Sequence, residues 1–178
     1  MQAALLFLVR ALSDLYVLAF VMRFIFQLIR MSYDNPLAQA VVQITNPLVV
    51  PARRMLPSIR GIDLPTLIVI VALECVATLL LLTILHFVPT VPQFVFFVLL
   101  RLVALTIWFY IFTLILYVAV SWLAGGTYHP MMSVLSEIVT PILRPVRRVL
   151  PPMSGLDLSP MLVTIALIAL SIALRTPF

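Results

Sequence analysis

Four charged residues stand inside stretches that are otherwise apolar: Arg10, Asp14, Glu74 and Arg101. Ionisable groups there are costly in lipid, and they mark either a polar cluster that fixes helix register or a path for ions. Arg10 and Asp14 are four apart, the spacing at which two side chains meet along one helix. Glu74 and Arg101, counted from the ends of their segments, reach similar depths on neighbouring antiparallel helices. A register-fixing cluster is the favoured reading. An offset of 94 residues aligns the two halves of the chain, and it sets Arg10, Asp14 and Glu74 on Ala104, Trp108 and Ile168. A symmetric pore would repeat its polar lining, and this cluster is not repeated.

Arg23, nearer the end of the first apolar segment, is expected to snorkel to the surface, and most of the other charges gather in two short segments. Arg53-Arg54 and Arg147-Arg148 fall in register within repeated prolines, and guanidinium groups suit two-pronged contact with phosphate. They are the candidate lipid- or partner-binding residues, set against the plainer role of topology determinants with snorkelling side chains. Asp63 and Asp157 each stand just before an apolar segment, where a carboxylate caps a helix and complements its dipole. An ion pair between these aspartates and the Arg motif is compatible with the same geometry. No plausible nucleophile with a base, phosphate loop or metal-ligand cluster is found, so the expectation is no enzyme, no metal and no cofactor. Cys75 is the single cysteine, and His86 and His129 are predicted on opposite membrane faces.

Composition identifies the medium that holds these residues. Of 178 residues, 64% are apolar and 10% charged, with mean hydropathy +1.24. Soluble domains are about half apolar and about a quarter charged. The formal charge is +5, with every basic residue an arginine. Because those arginines lie beside apolar segments, anionic lipid is the expected partner, with no nucleic acid bound directly. Spans are predicted at 3–29, 64–87, 94–123 and 159–175, against the ~20 residues a bilayer requires, the first and third being long enough to tilt or project beyond it. The N-terminal stretch lacks a basic leader and a small-residue cleavage site, and reads as a retained helix. Loops 30–63 and 124–158 hold most remaining arginines, which predicts cytoplasmic loops and external termini.

The offset also shows a repeat. Between Pro47–Leu64 and Pro141–Leu158, nine of eighteen positions are identical without a gap, including three prolines, both arginines and the aspartate. The first repeat is 1–88 and the second 94–178, joined by a short external turn at 89–93. Both repeats enter from the same side, so they are parallel rather than inverted. Within the loops, Asn35-Pro36 reads as an N-cap and first helical proline. Leu37, Val41 and Ile44 then share one helical face and Gln39, Gln43 and Asn46 another. In the second loop Met131, Leu135 and Ile138 stand against Ser133, Glu137 and Thr140. Pro47, Pro51, Pro141 and Pro145 are expected to break the chain before each Arg pair. The predicted fold is an all-α integral membrane bundle: four transmembrane helices as two parallel helix–loop–helix repeats, each loop with a short interfacial amphipathic helix.

The segment Pro47-Leu-Val-Val-Pro-Ala-Arg-Arg-Met-Leu-Pro57 followed by Gly61-Ile-Asp-Leu64 resembles the signature of the YggT family of bacterial inner-membrane proteins. Pro141-Ile-Leu-Arg-Pro-Val-Arg-Arg-Val-Leu-Pro151 with Gly155-Leu-Asp-Leu158 is similar to it again, so the resemblance covers nearly the whole chain. It implies a multi-pass protein of the bacterial inner membrane, with roles in osmotic or envelope stress tolerance or cell division. A chloroplast branch is associated with haem attachment to a cytochrome complex. No catalytic residue carries over. The resulting expectation is a non-enzymatic organising or assembly protein that engages anionic lipid, or membrane, division or envelope proteins, and that can form a homo-oligomer. The alternative is a small oligomeric ion channel or transporter with the buried charges lining its path.

Overall fold

The computed structural model describes residues 1–31, 35–55, 63–123, 130–150 and 157–174. Among them are six helices and no strand: α1 (Gln2–Leu28), α2 (Pro36–Met55), α3 (Leu64–Ile84), α4 (Val91–Leu123), α5 (Pro130–Val149) and α6 (Ser159–Leu174). Arg60, Gly61, His129, Gly155 and Arg175 lie outside the described residues.

Three helices, α1, α3 and α4, are long and apolar enough to cross a membrane. The fourth predicted span is the shorter apolar helix α6, whose 16 described residues extend about 24 Å at 1.5 Å each. The chain is therefore an all-helical membrane protein with three candidate spans among the described residues. α4 begins at Val91, three residues before the predicted start, with Pro92 in its first turn, where the missing N–H is no loss.

Two helix ends explain boundaries that no glycine signals. Arg30 and His86 both have φ 55°, in the left-handed region. The N–H of Met31 reaches the carbonyl of Phe26 at 2.9 Å and that of Arg30 reaches Gln27 at 3.1 Å. The N–H groups of Phe87 and His86 do the same to Leu82 and Thr83, at 3.0 and 3.1 Å. This paired six-to-one and five-to-two pattern closes a helix by satisfying its last carbonyls.

The chain divides into two units, Met1–Leu105 and Thr106–Phe178, with the boundary inside α4. In the first unit α1, α2 and α3 pack pairwise. α2 presents Ala38, Val41, Thr45 and Val49, all buried and spaced three or four apart, so one face of the helix docks. The expected Leu37–Val41–Ile44 face is split by this docking: Val41 is buried, while Leu37 and Ile44 remain exposed beside Leu48. In the second unit Leu114 of α4, Val139 and Leu143 of α5 form a core, with Tyr117, Val163 and Leu167 against it.

One expectation is overturned outright. The prolines do not break the chain: α2 runs through Pro47 and Pro51 to Met55, and α5 through Pro141 and Pro145 to Val149. All four prolines are exposed. Spaced four apart, each pair lies on one outward face, so the carbonyls that lose an N–H partner point away from the packed side. Burial of the opposite face offsets the local cost of about 3 kcal/mol or more that an interior proline carries.

Candidate functional sites

The intramembrane charges form one connected network in the first unit. Arg101 of α4 donates through Nε to Glu74 Oε1 of α3, and through Nη2 to Asp14 Oδ1 of α1 at 2.7 Å. Thr78, one turn along α3, donates to Glu74 Oε1 at 3.3 Å, and Arg10 lies 3.6 Å from Asp14 on α1. Glu74 is 1% exposed and Arg101 6%, whereas the Arg10 side chain is 42% exposed. Two guanidinium and two carboxylate groups sum to zero charge. Burial is tolerable because each buried charge meets an opposite one with a directed hydrogen bond. Three helices are thereby held at one relative depth.

The Arg pairs and the aspartates meet as well. Arg53 Nη2, near the end of α2, donates to Asp63 Oδ2 at the start of α3. Asp63 is completely buried and is the N-cap of α3, accepting the N–H of Thr66 at 3.4 Å and its hydroxyl at 2.7 Å. The amide of Gln27, in the orientation that satisfies both its ends, donates to Asp63 Oδ2 at 3.1 Å and accepts the Asp63 N–H at 3.3 Å. Burial opposes ionisation of Asp63. Hydrogen bonds from Arg53 and Thr66, together with the charge of Arg53, outweigh it and hold the carboxyl below its ordinary range.

The second clamp repeats this with a shift. Arg147 donates through Nε and Nη2 to Asp157 Oδ2 at 2.9 and 2.7 Å. Burial resists the charge on Arg147, and bonds to Asp157 and Tyr117 reverse that effect and raise its already high pKa. Burial likewise opposes ionisation of Asp157, but bonds from Ser159 and Arg147 carry its pKa below the usual value. Asp157 reaches the N–H of Ser159 at 3.0 Å, two residues on. The first helical bond of α6 is accepted by Leu158, whereas that of α3 is accepted by Asp63 itself. The sequence explains the difference: proline follows Asp63 by two residues but Asp157 by three, so the second helix starts one residue later.

Within each Arg pair the two members thus differ. Arg53 and Arg147, with side chains 46% and 30% exposed, bind the aspartate that opens the following helix, and among the described residues no ion pair engages the exposed Arg54 and Arg148. Spacing alone could not divide them, because neighbouring residues on a helix point about 100° apart and only the fold says which reaches the aspartate.

Arg23 is a functional residue the sequence misplaces. Rather than snorkelling to the membrane surface, it is 4% exposed and donates through Nη1 to Thr45 Oγ1 at 2.7 Å and Asn46 Oδ1 at 2.9 Å. It ties α2 to α1. The readable signal is its spacing of four from Gln27, which puts both on one face of α1 toward the Asp63 clamp. Among the described residues no three histidine, cysteine, aspartate or glutamate side chains gather as metal ligands.

An all-helical membrane protein in which a proline-traversed helix is clamped by an Arg–Asp pair, twice along the chain, is the class these features define. The family model described as CCB3/YggT matches the chain twice, at residues 2–85 and 96–178, and the chain belongs to that family. An uncharacterized protein of Pseudomonas aeruginosa is 34% identical over 169 residues, covering 94% of this chain and 86% of its own. The uncharacterized protein YggT of Escherichia coli is 32% identical over 163 residues, covering 92% and 85%. An uncharacterized protein of Vibrio alginolyticus is 32% identical over 164 residues, covering 90% and 88%. No solved structure matches.

Proposed function

We propose that the chain is a non-enzymatic organising protein of the bacterial inner membrane that anchors two clamped helices on an anionic lipid surface. In this reading α6 completes a fourth span, both Arg-bearing loops are cytoplasmic, and the termini are external. Envelope organisation under osmotic stress or at division is the setting that the family resemblance implies, with membrane or division proteins and further copies of the chain as partners.

The observation that carries the reading is the contrast within the Arg pairs. Arg53 and Arg147 direct their hydrogen bonds to Asp63 and Asp157, while among the described residues no ion pair engages Arg54 or Arg148, which are exposed at the same helix ends. On α2, the exposed apolar residues Leu37, Ile44 and Leu48 lie beside the polar edge that ends in Arg54, a distribution suited to the level of lipid head groups. The mutual pairing of Glu74, Arg101 and Asp14 favours a structural use of the buried charges over conduction.

The test is an Arg54→Gln/Arg148→Gln variant, purified in mild detergent, with co-purified lipid measured per chain at low and high salt. Wild type is expected to carry anionic lipid in excess over zwitterionic lipid, with much of that excess removed by salt or by the variant. Equal anionic enrichment in variant and wild type would sink the reading and turn attention to a protein partner.

A further inference from the structure

A cleft of about 560 Å³ opens between α1 and α2 in the first unit. Among the described residues it is lined by Arg23, Gln27, Gln39, Gln43, Asn46 and Arg53, together with Val42. Two guanidinium groups and four carboxamides face one volume, and no carboxylate is among those lining residues. The volume falls in the range of small-ligand sites, roughly 300–1,000 Å³.

The wall is held in place rather than assembled on demand. Arg23 is buried, with Nη1 fixed by Thr45, Asn46 and, at 3.4 Å, the Val42 carbonyl. Gln27 and Arg53 are both oriented by Asp63. That carboxylate is already occupied by Arg53, Gln27 and Thr66, so it offers little to a head-group ammonium. Guanidinium groups recognise phosphate oxygens, and carboxamides donate to and accept from hydroxyls. The matching chemistry is an anionic phosphate ester that carries hydroxyls and lacks a cation.

Position indicates where such a group comes from. Arg23 lies five residues before the end of α1, about 8 Å along the axis, and Gln27 meets the first cap of α3. The cleft therefore sits at the ends of two membrane-length helices, beside the exposed apolar residues of α2. The second repeat does not keep the chemistry. At the offset of 94, Arg23, Gln27, Gln39, Gln43 and Asn46 become Tyr117, Ser121, Ser133, Glu137 and Thr140. Ser136 and Thr140 turn their hydroxyls to backbone carbonyls of their own helix, at 2.7 and 2.5 Å. The amide-lined wall is a property of one copy, not a by-product of the repeat.

We propose that this cleft binds the phosphoglycerol head group of a single anionic lipid. The proposal deepens the membrane-surface reading, rests on the chain lying in a bilayer, and needs neither Arg54 nor Arg148. Native mass spectrometry of the full chain in detergent, titrated with phosphatidylglycerol or phosphatidylcholine, measures it directly. Wild type is expected to take up one phosphatidylglycerol saturably, in preference to phosphatidylcholine. Gln39→Glu/Gln43→Glu places two like charges at exposed positions of the wall, spares the core, and is expected to weaken that binding about tenfold or more. The Arg54→Gln/Arg148→Gln variant is expected to lose the salt-sensitive surface excess of anionic lipid and to keep this one saturable phosphatidylglycerol. A soluble arm uses glycerol 3-phosphate: displacement of the lipid by it shows recognition of the head group alone, and binding of lipid without displacement shows that acyl chains contribute. Either supports the site. Thermal unfolding of the Gln39→Glu/Gln43→Glu variant confirms that it is folded. Absence of preferential phosphatidylglycerol uptake by wild type, or unchanged uptake by the folded Gln39→Glu/Gln43→Glu variant, overturns the proposal. Loss in Arg54→Gln/Arg148→Gln with retention in Gln39→Glu/Gln43→Glu also overturns it, and leaves the Arg-surface reading standing.

Discussion

Substituting Glu74 by Gln keeps the size of the side chain and removes its charge. Arg101, 6% exposed, then holds a buried guanidinium with Asp14 as the remaining acidic partner, and Arg10 shares that same carboxylate. Removing one member of a buried ion pair costs about 3–5 kcal/mol, because the other charge stays desolvated. Against a typical stability of about 5–15 kcal/mol, that is a large share. At roughly 2–4 °C per kcal/mol for a chain of this size, the midpoint should fall by about 6–20 °C. Replacing the pair together, Glu74→Leu with Arg101→Met, removes both desolvated charges and leaves Arg10 with Asp14 along α1. Such replacements are commonly neutral or stabilising by about 1–4 kcal/mol, so the double variant should recover most or all of the loss. Thermal unfolding in detergent measures both, and ion flux in liposomes is recorded on the same preparations. A Glu74→Gln variant that melts like wild type, or a double variant no better than the single, refutes the structural role. Flux through wild type that changes with Glu74→Gln assigns the network to conduction instead.

Acid should release the two clamps. Asp63 and Asp157 have folded pKa values below their ordinary value, so their contribution is present above about pH 3.9 and is lost as pH falls through the folded values. The unfolding midpoint should drop at the acid end of a pH series, and Asp63→Asn/Asp157→Asn, still able to cap, should flatten that drop. His86→Gly relieves a left-handed non-glycine residue at the end of α3 and is expected to stabilise the chain by up to about 1 kcal/mol, read as a small rise in midpoint.

The sequence by itself determined the medium, the class of fold and the repeat. Apolar runs of membrane length, loops rich in arginine and nine matched positions are one-dimensional facts, and hydropathy and periodicity convert them into helices without tertiary information. The caps at Asn35 and Asp63 were legible for the same reason, since an N-cap depends on neighbours within three residues: Asn35 Oδ1 accepts the Leu37 N–H at 2.9 Å. The four residues of the intramembrane network were legible as a group because charge in an apolar run is rare, though depth alone could not say that Arg101 bridges Glu74 and Asp14. Tertiary structure decided the rest. Proline rules forecast a broken chain at Pro47 and Pro141, and packing of the opposite faces overrode them. Hydropathy sent Arg23 to the surface, and Thr45 and Asn46, more than twenty residues away, hold it inside. Which arginine of each pair turns to its aspartate depends on where one helix end meets the next helix start. Local sequence fixes what a side chain is able to bond, and only the docking of α2 against α1 and α3 fixes what stands within its reach.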